Sequence, residues 1–147
     1  MDTVTKEKRS AIMSRIKSEW TSPERKLYQA MRDIGLDPRT HDRQLPGRPD
    51  FIFDGPAFQQ STGQKPLAVF VEGCFFHACP RHYKRPKTNR AFWDRKARDN
   101  AARDRRNGRA LQRMGVRVMR VWEHGVRTAA AAEVAALAVR KRLCTKR

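Results

Sequence analysis

Apolar residues fall into a few patterns along the chain, and each dictates local structure. Leu67-Ala68-Val69-Phe70-Val71 is a continuous apolar run, as expected of a strand in the middle of a sheet covered on both faces. Phe51-Ile52-Phe53 is a shorter strand pattern, led by Pro49-Asp50 and preceded by turn material at Leu45-Pro46-Gly47-Arg48. Val116 to Trp122 alternates apolar and basic residues like a strand and closes at Glu123-His124-Gly125. Leu27, Ala30, Met31 and Ile34 recur at helical spacing. Ser22 is positioned to cap that helix, Pro23 suits its first turn, Glu24 suits its positive end, and Gly35 stops it. A long helix is predicted from Phe92 to about Met114, ended by Gly115, and an Ala-rich helix from a Thr128 cap to about Leu143. Residues 4–18 predict a basic helix with a thin stripe of Ile12, Met13 and Ile16. Residues 54–65, rich in Gly, Pro, Gln and Ser, predict a loop or loose hairpin. The order helix, helix, strand, strand, long helix, strand, helix makes this an α/β protein with helices on the faces of a sheet. With no repeat and no linker, residues 1–147 are expected to form a single domain, with 1–18 as an N-terminal helix or arm.

Charge narrows the function. Lys and Arg number 33 against 15 Asp and Glu, a formal net charge of +18. A charge this large repels itself unless it meets a polyanion, and nucleic acid is the obvious one. Ribosomal and membrane-surface proteins are the other classes with such a balance. The basic residues run along the whole chain, so this is not a basic tail on a neutral domain. No apolar run is long enough to span a membrane and no secretory pattern opens the chain, so a cytoplasmic location is expected. Three cysteines, an odd count, argue against a disulfide framework.

The candidate chemistry gathers behind the 67–71 strand. Asp50 and Glu72 sit at the ends of two predicted strands, where paired carboxylates hold Mg²⁺ while water and phosphate complete its shell. The spacing resembles the PD-(D/E)xK nuclease pattern, but Cys74 stands where that pattern places Lys. Turn-forming acids at strand ends are the plainer alternative. Cys74, Cys79 and His82 supply three zinc-type ligands within nine residues. His124 is the fourth if its strand lies beside the 67–71 strand; otherwise these are buried thiols and surface histidines. His77, between the cysteines, is placed for acid–base work near neutral pH. Adjacent Phe75 and Phe76 cannot both point into one core face, so together they suit a wedge that enters a base-pair step.

Taken together, these motifs resemble the Vsr family of very-short-patch-repair endonucleases. The resemblance covers roughly residues 9–125 and rests on Leu45-Pro46-Gly47-Arg48-Pro49-Asp50, Val71-Glu72-Gly73-Cys74-Phe75-Phe76-His77 with Cys79, Pro86-Lys87-Thr88-Asn89, Phe92-Trp93, Asn100 with Arg103-Asp104, and Val121-Trp122-Glu123-His124. It implies a restriction-endonuclease-like fold and a Mg²⁺-dependent DNA nickase. The implied substrate is double-stranded DNA with a T:G mismatch left by deamination of 5-methylcytosine, cut 5′ to the thymine. The same resemblance implies Asp50 as the metal-binding acid, the Val71 carbonyl as a further ligand, His77 as the acid–base group and Glu24 as an acidic partner. It implies Phe75, Phe76 and Met13 as the wedge, Lys96 and Asn100 facing the mismatched pair, and Cys74, Cys79, His82 and His124 around structural Zn²⁺. Family members often carry Trp in place of Phe76, so stacking is weaker here, and some carry His in place of Glu72, which points to Glu72 as a more direct Mg²⁺ ligand here. A bacterial monomer, nucleoid-associated when acting, with repair proteins as candidate partners, completes the expectation. The alternatives are a nuclease of this fold with another target, and a non-catalytic zinc-stapled DNA-binding module.

Overall fold

The computed structural model describes residues 5–14 and 19–145, except for the side chain of Met13. Five helices and four strands follow in the order α1 (Lys6–Ser14), α2 (Ser22–Asp33), β1 (Arg39–Thr40), β2 (Phe51–Phe53), α3 (Pro56–Thr62), β3 (Leu67–Glu72), α4 (Arg90–Arg113), β4 (Arg117–Trp122) and α5 (Ala129–Cys144). A single 3-10 turn, Glu123–Val126, joins β4 to α5. The strands form one mixed sheet in the order β1-β2-β3-β4, antiparallel except for the parallel β3–β4 pair. A parallel pair needs a crossover between its strands, and α4 provides it.

Period-two alternation divides the strands between two cores. Phe51, Phe53, Leu67, Val69 and Val121 face α2 and α5, meeting Leu27, Met31, Ala136, Val139 and Leu143. Ile52, Ala68 and Val116 face α4 at Leu111, with Phe70 and Val118 packed beside them. The expected interior strand is therefore β3, apolar on both sides because both sides are covered. Among the described residues β4 is an edge strand, with no further strand beyond it.

Both interior helix ends behave as their sequences direct. Gly35 (φ 83°) ends α2, with its N–H donating to the Arg32 carbonyl at 2.9 Å and that of Leu36 to Met31 at 2.9 Å. Gly115 ends α4 in the same way, each a left-handed stop that satisfies orphan carbonyls. Thr128 caps α5, its Oγ1 accepting from the Ala131 N–H at 3.1 Å. Two expectations are corrected. Thr21, not Ser22, occupies the cap position of α2, and its hydroxyl donates to Glu24 Oε1 at 2.8 Å rather than capping the backbone. The stretch 54–65 holds a short helix, α3, rather than a loop or hairpin. Pro56 at its first turn and Phe58 packed on the core outweigh its Gln- and Ser-rich composition. Of the N-terminal helix, Lys6–Ser14 is helical and mostly exposed; residues 15–18 and the Met13 side chain lie outside the described residues. No described helix is long and apolar enough to cross a membrane.

Candidate active site

The start of β2 and the end of β3 open onto one cleft of about 550 Å³. The turn Leu45-Pro46-Gly47-Arg48 delivers Asp50 to it. Pro46 and Gly47 (φ 78°) occupy the centre of this turn, and Arg48 N–H closes it on the Leu45 carbonyl at 3.1 Å. A side chain at Gly47 would meet Asn107 at 3.1 Å and Phe70 at 3.2 Å, so glycine lets this turn press against α4.

Asp50 is largely buried, and its Oδ2 accepts the Val71 N–H at 2.7 Å. Burial pushes its pKa up to about 7, and the nearby Glu24 charge adds to the rise, while the Val71 N–H, His41 and His77 oppose it. Glu24, buried in the first turn of α2, accepts from Thr21 and pairs with His41 Nε2 at 3.0 Å. Donor atoms of Glu24, His41 and Asp50 all lie within 4.8 Å of one another. Glu72 does not join that group. It is salt-bridged to Arg120 on β4 and falls in a second group with His77 and Asp104. His77 Nδ1 lies 2.6 Å from Asp104 Oδ2, which orients the ring and leaves Nε2 for other partners. Arg120 also donates to the Asp104 carbonyl at 3.0 Å and lies over the Phe70 ring at 5.2 Å.

Behind β3 the chain turns tightly through residues 73–79, with the N–H of His77 bonded to the Gly73 carbonyl at 3.1 Å and that of Cys79 to the Cys74 carbonyl at 2.9 Å. Because β4 pairs directly with β3, His124 reaches this knuckle. Its Nδ1 is 3.2 Å from Cys74 Sγ and 3.6 Å from Cys79 Sγ, and His82 Nδ1 is 3.7 Å from Cys79 Sγ. Around a tetrahedral zinc with bonds of about 2.3 Å to sulfur and 2.0–2.1 Å to nitrogen, neighbouring S and N ligands stand about 3.6 Å apart. The four donors fit such an ion. Burial raises the Cys74 thiol; at Cys79 burial acts the same way, but the backbone N–H groups of Arg81 and His82 outweigh it and lower the thiol. Glu123 Oε1 accepts the Cys74 N–H at 2.7 Å, a brace with no signature in sequence spacing.

The aromatic pair sits on the far side of the knuckle. Phe75 packs edge-on to Phe76 at 5.4 Å and to Trp93 of α4 at 5.1 Å, with Tyr83 at 5.9 Å. Asn100 is buried, and its Nδ2 donates to the Phe76 carbonyl at 2.8 Å, whereas Lys96, one turn earlier on α4, is exposed. His41 and Arg120 line the cleft without having been singled out in sequence, and Asp104 and Trp93 entered only as members of the motifs Arg103-Asp104 and Phe92-Trp93.

Residues 1–84 match the family model described as DNA mismatch endonuclease Vsr. The chain belongs to the Vsr family. It is 36% identical over 127 residues to the DNA mismatch endonuclease Vsr of Escherichia coli, covering 86% of this chain and 76% of that protein. It is 37% identical over 121 residues to the type II nicking enzyme V.NaeI of Lentzea aerocolonigenes, covering 79% of this chain and 68% of the relative. The type II nicking enzyme V.XorIIP of Xanthomonas oryzae pv. oryzae is 35% identical over 124 residues, covering 83% and 84%. As a Vsr-family member the chain is a DNA endonuclease, and DNA is its substrate. The Vsr match takes in Glu24, Asp50 and Glu72 of the cleft, His77 and the knuckle through His82; Asp104, Arg120 and His124 lie beyond it.

Proposed function

We propose that this endonuclease nicks one strand of duplex DNA 5′ to the thymine of a T:G mismatch, acting as a monomer with a divalent cation, Mg²⁺ in the cell, at Asp50. The observation that carries this reading is the single cleft in which a half-buried carboxylate, Asp50, faces an imidazole–carboxylate pair, His77–Asp104. Asp50 and the Val71 carbonyl would hold the cation, which when bound neutralises phosphate charge and makes water a stronger nucleophile. His77, oriented by Asp104, exchanges the proton at Nε2. Arg120 and Arg48 at the cleft wall face the negative charge of the scissile phosphate. Phe75 and Phe76, backed by Trp93, form the wedge. Asn100 steadies the wedge through the Phe76 carbonyl, and exposed Lys96 reaches the mismatched pair. A structural zinc at Cys74, Cys79, His82 and His124 would lock the knuckle that bears both His77 and the wedge. Glu24 is the acidic partner of Asp50; Glu72, paired with Arg120, is the least direct of the expected metal ligands. The whole chain would work as one restriction-endonuclease-like domain, with repair proteins as partners.

The names of the type II nicking enzymes at similar identity favour one variant of this reading, a nick set by a different sequence context. Nicking assays across all mismatches in several contexts, with Mg²⁺, test both. Cleavage confined to the T strand of T:G duplexes is expected. Asp50→Ala and His77→Ala should each abolish it while leaving the circular dichroism spectrum unchanged; full activity in either variant would sink the mechanism.

A further inference from the structure

We propose that His41 is a direct nitrogen ligand of the catalytic cation, forming with Glu24 and Asp50 a mixed nitrogen–oxygen site that binds Mn²⁺ more tightly than Mg²⁺. This rests on the reading above that Asp50 holds a divalent cation.

Three independent features converge on His41. Its side chain is only 10% exposed, so it is a fixed part of the cleft wall rather than a surface histidine. Its backbone N–H donates to the Asp50 carbonyl at 3.0 Å, and its ring stands edge-on to Trp20 at 4.8 Å, so both ends of the residue are held. Its Nε2 is 3.0 Å from Glu24 Oε2, and the donor atoms of Glu24, His41 and Asp50 lie within 4.8 Å of one another. Asp50 Oδ1 takes no hydrogen bond from any described residue, since the Val71 N–H occupies Oδ2.

The 3.0 Å separation serves two states. With a proton between the atoms it is a hydrogen bond. With a cation of bond length about 2.1 Å in place of the proton, it is the edge between adjacent ligands of an octahedron, about 3.0 Å. His41 also adopts φ 49°, the left-handed region that few non-glycine residues occupy, and it does so directly beside the two carboxylates. Mg²⁺ demands oxygen ligands and keeps its waters, whereas an imidazole nitrogen favours transition metals. Mg²⁺ would act here through cellular abundance, and Mn²⁺ through intrinsic fit.

The test uses zinc-replete full-length protein with one equivalent of Mn²⁺. Electron spin-echo spectroscopy reads coupling of the manganese to a directly bonded ¹⁴N, and calorimetry reads Mn²⁺ and Mg²⁺ affinity. The informative variant is His41→Asn, because Asn tolerates a left-handed backbone but is too short to reach the cation. The nitrogen signal is expected in the natural protein and in His77→Gln, and lost in His41→Asn. Mn²⁺ affinity should fall roughly tenfold or more, at least the loss seen when a mere outer-shell partner is removed, and Mg²⁺ affinity less. If Mn²⁺ binds in an Asp50-dependent way but shows no ¹⁴N coupling, or keeps it in His41→Asn, His41 is not a ligand and the Asp50 site stands without it. If Asp50→Asn leaves Mn²⁺ binding unchanged, the cation is not at Asp50, and the reading of the active site falls together with this inference.

Discussion

Asp50, the cation ligand of the proposed mechanism, works against stability. Its folded-state pKa of about 7 lies above the ordinary 3.8, so between those pH values the folded chain keeps a proton that the unfolded chain has lost. Stability of the protein without divalent metal in the cleft should therefore fall as pH rises from about 4 to 7 and level off above. At 1.36 kcal/mol per pKa unit the loss is at most about 4 kcal/mol. Thermal melts across this range should show that slope, and Asp50→Asn should flatten it; a slope unchanged in the variant would mean another group is responsible. His77 depends on Asp104 at 2.6 Å. Asp104→Asn should cut the single-turnover nicking rate by about 10²-fold or more, the usual scale for disabling an acid–base group, with the melting temperature little changed. Asp50, Cys74 and His77 stood out because each lies beside an apolar strand pattern, Asp50 before 51–53 and the other two after 67–71. His41 did not, and Asp104 did only as part of the Arg103-Asp104 motif: Asp104 meets His77 across 27 residues and His41 meets Glu24 across 17, so local spacing reveals neither pairing.

Among the elements, the knuckle behind β3 has the most concentrated duties. It carries His77, Phe75, Phe76 and three of the four zinc-type ligands, yet contains no helix or strand of its own. Short charged segments of this kind need an external constraint to hold shape. The purified protein is expected to contain about one zinc per chain by metal analysis, and Cys74→Ser to lose it. Because structural zinc binding is coupled to folding, that variant should lose more than about 2 kcal/mol of stability; a metal-free protein with an unchanged melting curve would remove zinc from the account. The strands were readable because apolar continuity and alternation report burial directly, and the pairing of β3 with β4 met the one condition needed to bring His124 to the cysteines. The helix α3 was unreadable for the opposite reason. Nearly all of it is exposed, so no apolar stripe marks its period, and only Phe58 ties it to the core. Likewise the hydroxyl of Thr21, next to the expected cap Ser22, is diverted to Glu24, a tertiary demand that local propensity does not contain.

For the molecule as a whole, the excess of basic residues sets how it meets DNA. With about six to ten phosphate contacts, affinity for duplex DNA should fall by about 10³–10⁵-fold between about 50 and 200 mM salt. Fluorescence anisotropy at several KCl concentrations measures this, and a nearly flat dependence would mean that the charge of +18 is not spent on phosphates. The same charge bears on the open side of the sheet. β4 ends the strand order, six residues long, with one row of backbone groups that no further strand pairs. Such an edge is a template on which a second chain can extend the sheet, and natural proteins guard it with charge. Arg117 and Arg120 stand on this strand, Arg117 tied to the Lys65 and Arg142 carbonyls and Arg120 turned to Glu72 and Asp104, and like-charged chains also repel at a distance. Binding to DNA cancels that repulsion, so molecules crowded on one duplex lose the long-range part of what keeps them separate. Replacing Arg117 by valine should weaken the guard on this edge, visible as light scattering that appears first when DNA is added.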